Sequence, residues 1–174
     1  MTLRPFDPAE FDVLWRAVTG ADPTTAVGKR DPELLRARVE TSGRMTEREL
    51  LLAIEADGRL IGSIQGYRHE LPDGVFGLGI ELFDERDRGK GHGTAAVKEL
   101  VARLFDRESA RRIEAGTADD NAAMRVVLRR LGFQQEGILR RWYPSQDGRG
   151  VDCVMYGMTR DDYQDVKTRW TETS

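Results

Sequence analysis

The chain has 174 residues, 39% of them hydrophobic and 33% charged, with a formal net charge of −3. One domain spanning 1–174 with a proper core is expected, and the negative balance argues against a general nucleic-acid-binding surface. A single cysteine, Cys153, excludes an internal disulfide, and no apolar run approaches the roughly 18 residues that a membrane span needs.

The opening MTLRPFDPAEF has neither a charged-then-apolar leader nor a small-residue cleavage site, so the cytoplasm is the expected location. Asp7 is placed to cap a helix, with Pro8 at its first position and Glu10 three residues after the cap. Phe6 and Phe11 stand at the spacing of a hydrophobic staple. The loop GADPTTAVGKR follows, and Asp31-Pro32-Glu33 starts a second helix through Leu34, Leu35 and Val39.

From Glu49 the pattern becomes β-type. ELLLAIEADGRLIGSIQGYRH reads as two strands around the turn Asp57-Gly58, and VFGLGIELF after Asp73-Gly74 is a third strand. Val97, Leu100, Val101, Leu104 and Phe105 then mark one face of a helix. RRIEAGTA is a short strand, and Asp119, Asp120 or Asn121 caps a helix ending near Gly132. Two strands, FQQEGILRRWY and VDCVMYGM, flank the turn-forming PSQDGRG, and Thr159 opens a last helix containing Tyr163 and Val166. This order is α+β and lacks the βα alternation of a doubly wound sheet.

RDRGKGHGTAAV, Arg86 to Val97, lies between the third strand and the amphipathic helix. Its alternate glycines permit sharp turns and close approach to backbone amides, and its cations favour an anion at a helix N-terminus. The spacing fits neither G-x-x-x-x-G-K-[ST] nor G-x-G-x-x-G, so a P-loop and a dinucleotide fingerprint are excluded. A pyrophosphate cradle and an ordinary tight turn with solvated charges remain.

Arg88-Gly89-Lys90-Gly91-His92-Gly93 fits [Q/R]-x-x-G-x-[G/A], which resembles the acetyl-CoA signature of the GNAT superfamily of N-acyltransferases. RRIEAGTADDNAAMRVVLRRLGFQQEGILR is similar to the corresponding block of the RimJ/RimL-type branch. The resemblance covers most of the chain and is strongest from Val75 to Met158. It implies a GNAT-like fold, a central, mostly antiparallel mixed sheet flanked by helices, in a monomer or homodimer. Acetyl-CoA is then the acyl donor and a primary amine the acceptor.

By that resemblance, Leu82 and Phe83 offer backbone groups to the pantetheine arm, and the pyrophosphate rests on the amides of Arg88, Gly89, Lys90, Gly91, His92, Gly93 and Thr94. Asn121 contacts the cofactor or is a plain N-cap, and Arg130 reaches a phosphate or is a solvated helix residue. His92 reads as a solvent-facing cradle residue, His69 as structural, and Cys153 as a buried structural thiol. Two separated histidines and one cysteine give no metal-ligand spacing.

Transfer to an amine needs a base and an oxyanion donor, and a backbone N–H near the end of Gly79–Phe83 is implied for the oxyanion. Glu81, Asp152 and Glu114 are the candidate bases, the first two ahead of Glu114, each with a structural salt bridge as its alternative. Glu81 alternates with Ile80 and Leu82 and is expected on the acceptor face. Many members of the branch carry Ser where this chain has Met124, and other branches carry Tyr where it has Leu128. Tyr156 or Tyr143 is the candidate substitute acid, unless the thiolate leaves unassisted. The loops GADPTTAVGKR and YPSQDGRG are expected to line the acceptor site. A peptide or protein α-amine is the favoured acceptor, ahead of a small amine, with a non-catalytic acyl-CoA-binding module as the contrasting reading.

Overall fold

The computed structural model describes residues 1–20, 31–145 and 147–172. Among them, seven strands form one sheet: β1 (Thr2–Arg4), β2 (Glu49–Ala56), β3 (Arg59–Arg68), β4 (Val75–Leu82), β5 (Arg112–Ala118), β6 (Gln134–Tyr143) and β7 (Val151–Thr159). The helices are α1 (Phe11–Gly20), α2 (Pro32–Glu40), α3 (His92–Arg107), α4 (Ala122–Arg130) and α5 (Arg160–Glu172). The sheet order is β1-β2-β3-β4-β5-β7-β6. Only β4 and β5 run parallel; the other neighbours are antiparallel.

The element order follows the sequence reading, with β1 added at the front. Three residues are too few to show an alternation, and β1 exists because it pairs with β2, Leu3 lying opposite Ile54. The helix starts form as their residues dictate. Asp7 accepts the Ala9 amide at 2.8 Å and Glu10 accepts the Asp7 amide at 2.9 Å, although Pro8–Glu10 is a 3-10 turn that runs on into α1. Asp31 caps α2 through the amides of Glu33 and Leu34. At the β2–β3 turn, Asp57 and Gly58 both take positive φ, 51° and 70°, as a two-residue hairpin requires.

Alternation along the strands divides the molecule into layers. Leu50, Leu52 and Ile54 of β2 face a large core with α3, α4 and α5, whereas Leu51 and Ala53 face a smaller one with Phe6, Phe11, Leu14, Val18, Leu35 and Val39. Arg36 of α2 stacks 3.9 Å above the Phe11 ring and ties α2 to α1. α3 buries Ala96, Val97, Leu100, Val101, Leu104 and Phe105, and each of its large apolar side chains gains about 1.5–3 kcal/mol over exposure. Tyr163 of α5 stacks on Phe105 at 4.7 Å. α3 is thereby fixed against the sheet, which sets the position of the glycine loop at its N-terminus.

Candidate active site

β4 and β5 stay together for only three residues, with Val75, Phe76 and Gly77 opposite Arg112, Ile113 and Glu114. Beyond Gly77 the two strands part. Phe83 N–H donates to Ile61 C=O at 3.0 Å and His69 N–H to Val75 C=O at 3.0 Å, so the odd-numbered residues of β4 bond towards β3. Antiparallel alternation then turns the backbone groups of Leu78, Ile80 and Leu82 into the splay, where β5 no longer pairs with them. A V-shaped slot with one lined edge results. Leu82 is on that edge. The Phe83 amide is not, because it is spent on β3; Leu78 and Ile80 take its place.

The glycine loop closes the wide end of the slot. Asp84 caps a short turn, Glu85–Asp87, through the Arg86 amide, and Gly89 and Gly91 follow with φ of +73° and +85°. Gly91 is the N-cap of α3 and offers no side-chain oxygen, so no side chain caps the first turn. Ala95 is the first residue of α3 to bond back, to the Gly91 carbonyl. The Arg88 amide, expected in the cradle, instead donates to the Glu85 carbonyl at 3.0 Å, whereas the amides of Gly89 through Thr94 bond no acceptor among the described residues and are open to an anion.

Each cation of the loop is tethered. Arg86 bonds Asp84 at 2.6 Å, Arg88 lies 3.5 Å from Glu85, and Lys90 lies 3.8 Å from Asp87. The Arg86 contact holds the Asp84 carboxyl down to about 2. These pairs keep the cations at the loop yet leave them exposed and exchangeable. Asn121 caps α4 through the Met124 amide at 3.1 Å, and Arg130 is exposed at the far end of that helix.

The other side of the sheet carries the titratable groups. Glu81 has the parity of Gly79 and Gly77, opposite to Ile80 and Leu82, which pack on the large core. Glu114 likewise alternates with the buried Ile113 and Ala115, and its carboxylate meets Arg112 Nε at 2.8 Å and His69 Nε2 at 3.6 Å. Arg112 also holds Glu136, and Arg38 of α2 bridges Glu49 and Gln65. Gly116 leaves room for the Cys153 thiol, the Met155 thioether and the Tyr143 hydroxyl, which a Cβ there would meet at 2.9, 3.2 and 3.7 Å. Glu81, Glu114, Tyr67, Tyr143 and Cys153 thus share one face beside the splay.

Asp152 and Tyr156 do not join them. Both have the parity of Val154, which faces the helices. Asp152 accepts the Arg141 amide at 2.7 Å across the irregular β6–β7 pairing and so serves the bulge that holds Arg141 at a φ of 54°. Tyr156 is fully buried, its hydroxyl 3.4 Å from Arg125 Nε of α4. Met124 is partly buried and Leu128 fully buried in the large core, so both positions are occupied by packing. The expected loop GADPTTAVGKR falls almost wholly outside the described residues. In the second loop, Ser145 and Asp147 bond each other.

Sequence reasoning missed Tyr67. Its ring covers Gly77 so closely that a Cβ there would lie 2.0 Å from Cζ. The alternating glycines of GVFGLGI were the available signal, since glycine in a strand marks close approach; the β3–β4 register that names the approaching ring is tertiary.

A splayed β4–β5 pair closed by a helix N-terminus with open amides defines a slot for an extended ligand ending in an anion. Residues 1–134 match the acetyltransferase (GNAT) domain model, and the chain belongs to that family, whose acyl donor is acetyl-CoA. An uncharacterized prophage-derived N-acetyltransferase of Bacillus subtilis, YokL, is 29% identical over 114 residues, covering 65% of this chain and 63% of that protein. The chain spans less than half of three other curated N-acetyltransferases it matches, from 42% to 48% of their length. A chimera of the Vibrio cholerae spermidine N-acetyltransferase SpeG has the same fold, with a TM-score of 0.77 at 17% identity over 95% of this chain and 99% of that one. Mycobacterium smegmatis RimJ in complex with CoA-disulfide gives 0.71 at 22% identity over 96% and 88%. No helix among the described residues is long and apolar enough to cross a membrane.

Proposed function

We propose that this chain is an acetyl-CoA-dependent N-acetyltransferase acting on a primary amine, with a peptide or protein α-amine as the acceptor, in the cytoplasm. The observation that carries the reading is the splay itself, whose open strand edge leads directly to the open amides of the glycine loop. The pantetheine arm runs along Leu78, Ile80 and Leu82 as a surrogate strand. The pyrophosphate sits on the amides of Gly89 to Thr94, each charge-assisted bond contributing about 1.5–3 kcal/mol. Asn121 and Arg130 are secondary candidates for donor contact at the two ends of α4.

An N–H of Ile80 or Leu82 is directed into the slot and is the candidate oxyanion donor. Attack forms the C–N bond, breaks the C–S bond and releases one proton from the nitrogen. Glu81 and Glu114 are the carboxylates on the acceptor face that take it. A thiol with a reference pKa of about 8.5 leaves without a dedicated acid, in keeping with Met124 and Leu128.

Charge on the acceptor face supports an α-amine. Glu114 and Glu136 share Arg112, and Glu49 carries Arg38, so these carboxylates do not add up to an acidic trough for a polycation. An α-amine of pKa about 8 also costs only about 1.4 kcal/mol to deprotonate at pH 7, against about 4.6 for a lysine amine. The test is thiol release from acetyl-CoA with a pool of free-N-terminus peptides and, separately, a pool of small amines. Release with peptides, abolished by Arg88→Glu, supports the proposal. Release with small amines alone moves the acceptor to a metabolite, and acetyl-CoA binding without release to either pool makes this a binding module.

A further inference from the structure

Tyr67, 41% accessible as a residue, lies on β3 directly across from Gly77 of β4. A Cβ at Gly77 would fall 2.0 Å from its Cζ and 2.4 Å from its hydroxyl, so the polar end of the ring lies over the Gly77 backbone. Gly77 is also the last β4 residue that pairs with β5, and its partner there is Glu114. The hydroxyl therefore stands where the two strands begin to part, on the face that carries Glu81 and Glu114. It makes no hydrogen bond with any described residue.

The surroundings of this phenol include a second ring and a carboxylate. The His69 ring lies 5.7 Å away, with its Nε2 buried, without a hydrogen-bond partner among the described residues and 3.6 Å from Glu114. Burial, then the charge of Glu114 and the Cys153 thiol, push the Tyr67 phenol above its usual value. Across the splay, the Tyr143 hydroxyl lies by Gly116, 3.6 Å from the Cys153 sulfur. Two phenols thus flank the opening, and Tyr67 is the one whose hydroxyl has no hydrogen-bond partner among the described residues.

We propose that the Tyr67 hydroxyl, seated over Gly77 at the foot of the β4–β5 splay beside Glu114, receives and orients the primary amine of the acceptor. This rests on the acetyltransferase reading and assigns its acceptor subsite. The neutral amine donates one N–H to the Tyr67 oxygen, which leaves its lone pair free to attack the thioester carbonyl in the slot. As the C–N bond forms, the C–S pair departs with the thiolate. The proton lost from nitrogen goes to Glu114 or Glu81, and the thiolate takes one from water. Gly77 is part of the device, because any side chain there drives the ring off its seat.

The experiment is steady-state kinetics at saturating acetyl-CoA for Tyr67→Phe, Gly77→Ala and the double variant, using whichever pool, peptides or small amines, supports turnover by the unsubstituted protein. Acetyl-CoA affinity by calorimetry and melting temperature are followed in parallel. Tyr67→Phe is expected to lower kcat/KM for the amine about tenfold, the loss of one productive hydrogen bond, while acetyl-CoA affinity is unchanged. Gly77→Ala is expected to lose at least as much, and the double variant no more than the worse single one, because both remove the same hydroxyl. Unchanged kcat/KM in Tyr67→Phe, or losses that multiply in the double variant, overturns the inference alone. No turnover by the unsubstituted protein with either pool overturns the acetyltransferase reading and this inference with it.

Discussion

Asp87 of the glycine loop, only 3% exposed, accepts a hydrogen bond from Arg59 Nη2 at 3.0 Å and so ties the loop to the start of β3. Lys90 approaches the same carboxylate oxygen at 3.8 Å. One buried acid thereby sets where the loop leaves the sheet and where one of its cations rests. Asp87→Ala is expected to cost about 1–2 kcal/mol in urea unfolding, below a fully buried pair because the Arg59 side chain is 58% exposed. Calorimetry should show weaker acetyl-CoA binding. Unaltered affinity would mean that the loop holds its shape without this tie.

Gly89 and Gly91 call for glycine by conformation alone. Both have positive φ, and a Cβ at either position meets nothing within 4 Å. Alanine at each should cost about 1–2 kcal/mol of backbone strain without any clash. If the strain is relieved by moving the loop, the measured stability loss will be smaller and the loss of acetyl-CoA affinity larger.

Gly62 is the opposite case, glycine for want of space. A Cβ there would lie 2.3 Å from the Glu81 carbonyl oxygen, a backbone atom that cannot swing away. Gly62→Ala should cost about 1–3 kcal/mol and shift β4 around Glu81. Acetyl-CoA binding should weaken although residue 62 lies on β3, away from the slot. Wild-type affinity in a folded variant would argue against β4 as the edge that takes the pantetheine arm.

Leu128, the position at which the resemblance led us to look for a tyrosine, has its side chain completely buried in the large core. Leu128→Tyr must bury a bulkier, polar ring, so a loss of about 1–3 kcal/mol is expected with no gain in thiol release. A rise in kcat would show that the position still addresses the slot.

Acid sensitivity should trace to two ion pairs. The bond from Arg112 holds the Glu136 carboxyl below its ordinary range, and the bond from Arg4 does the same for Glu10. In the unfolded chain both carboxyls have ordinary values near 4.3, roughly, so between the two states the folded protein binds fewer protons. Their stabilisation is complete above that value and is lost as pH falls through the lower folded one. Melting temperature measured from pH 7 to pH 3 should therefore drop less steeply in Glu136→Gln than in the unsubstituted chain. Parallel curves would assign the acid sensitivity to other groups.

Much of the fold is legible because its signals are local. The Asp7 and Asp31 caps, the Asp57-Gly58 turn and the apolar stripe of α3 each depend on residues within a few positions of one another. β1 escaped because three residues carry no period, and its partner β2 lies some fifty residues downstream. The glycine loop could be recognised for the same reason that the caps could: its conformation and its open amides are properties of one short segment.

The division of Glu81, Glu114, Asp152 and Tyr156 between two faces was not legible. Alternation says which residues of one strand share a side, but only the register between strands relates one strand's sides to another's. That register put Glu81 with Glu114, turned Asp152 and Tyr156 to the helices, and laid Tyr67 over Gly77. The sequence alone therefore determined every described element but β1, the α+β order and the glycine loop, which arise from contacts close along the chain. The tertiary structure alone decided which carboxylates and which phenol meet at the slot, because their encounter depends on how distant strands pair, part and pack.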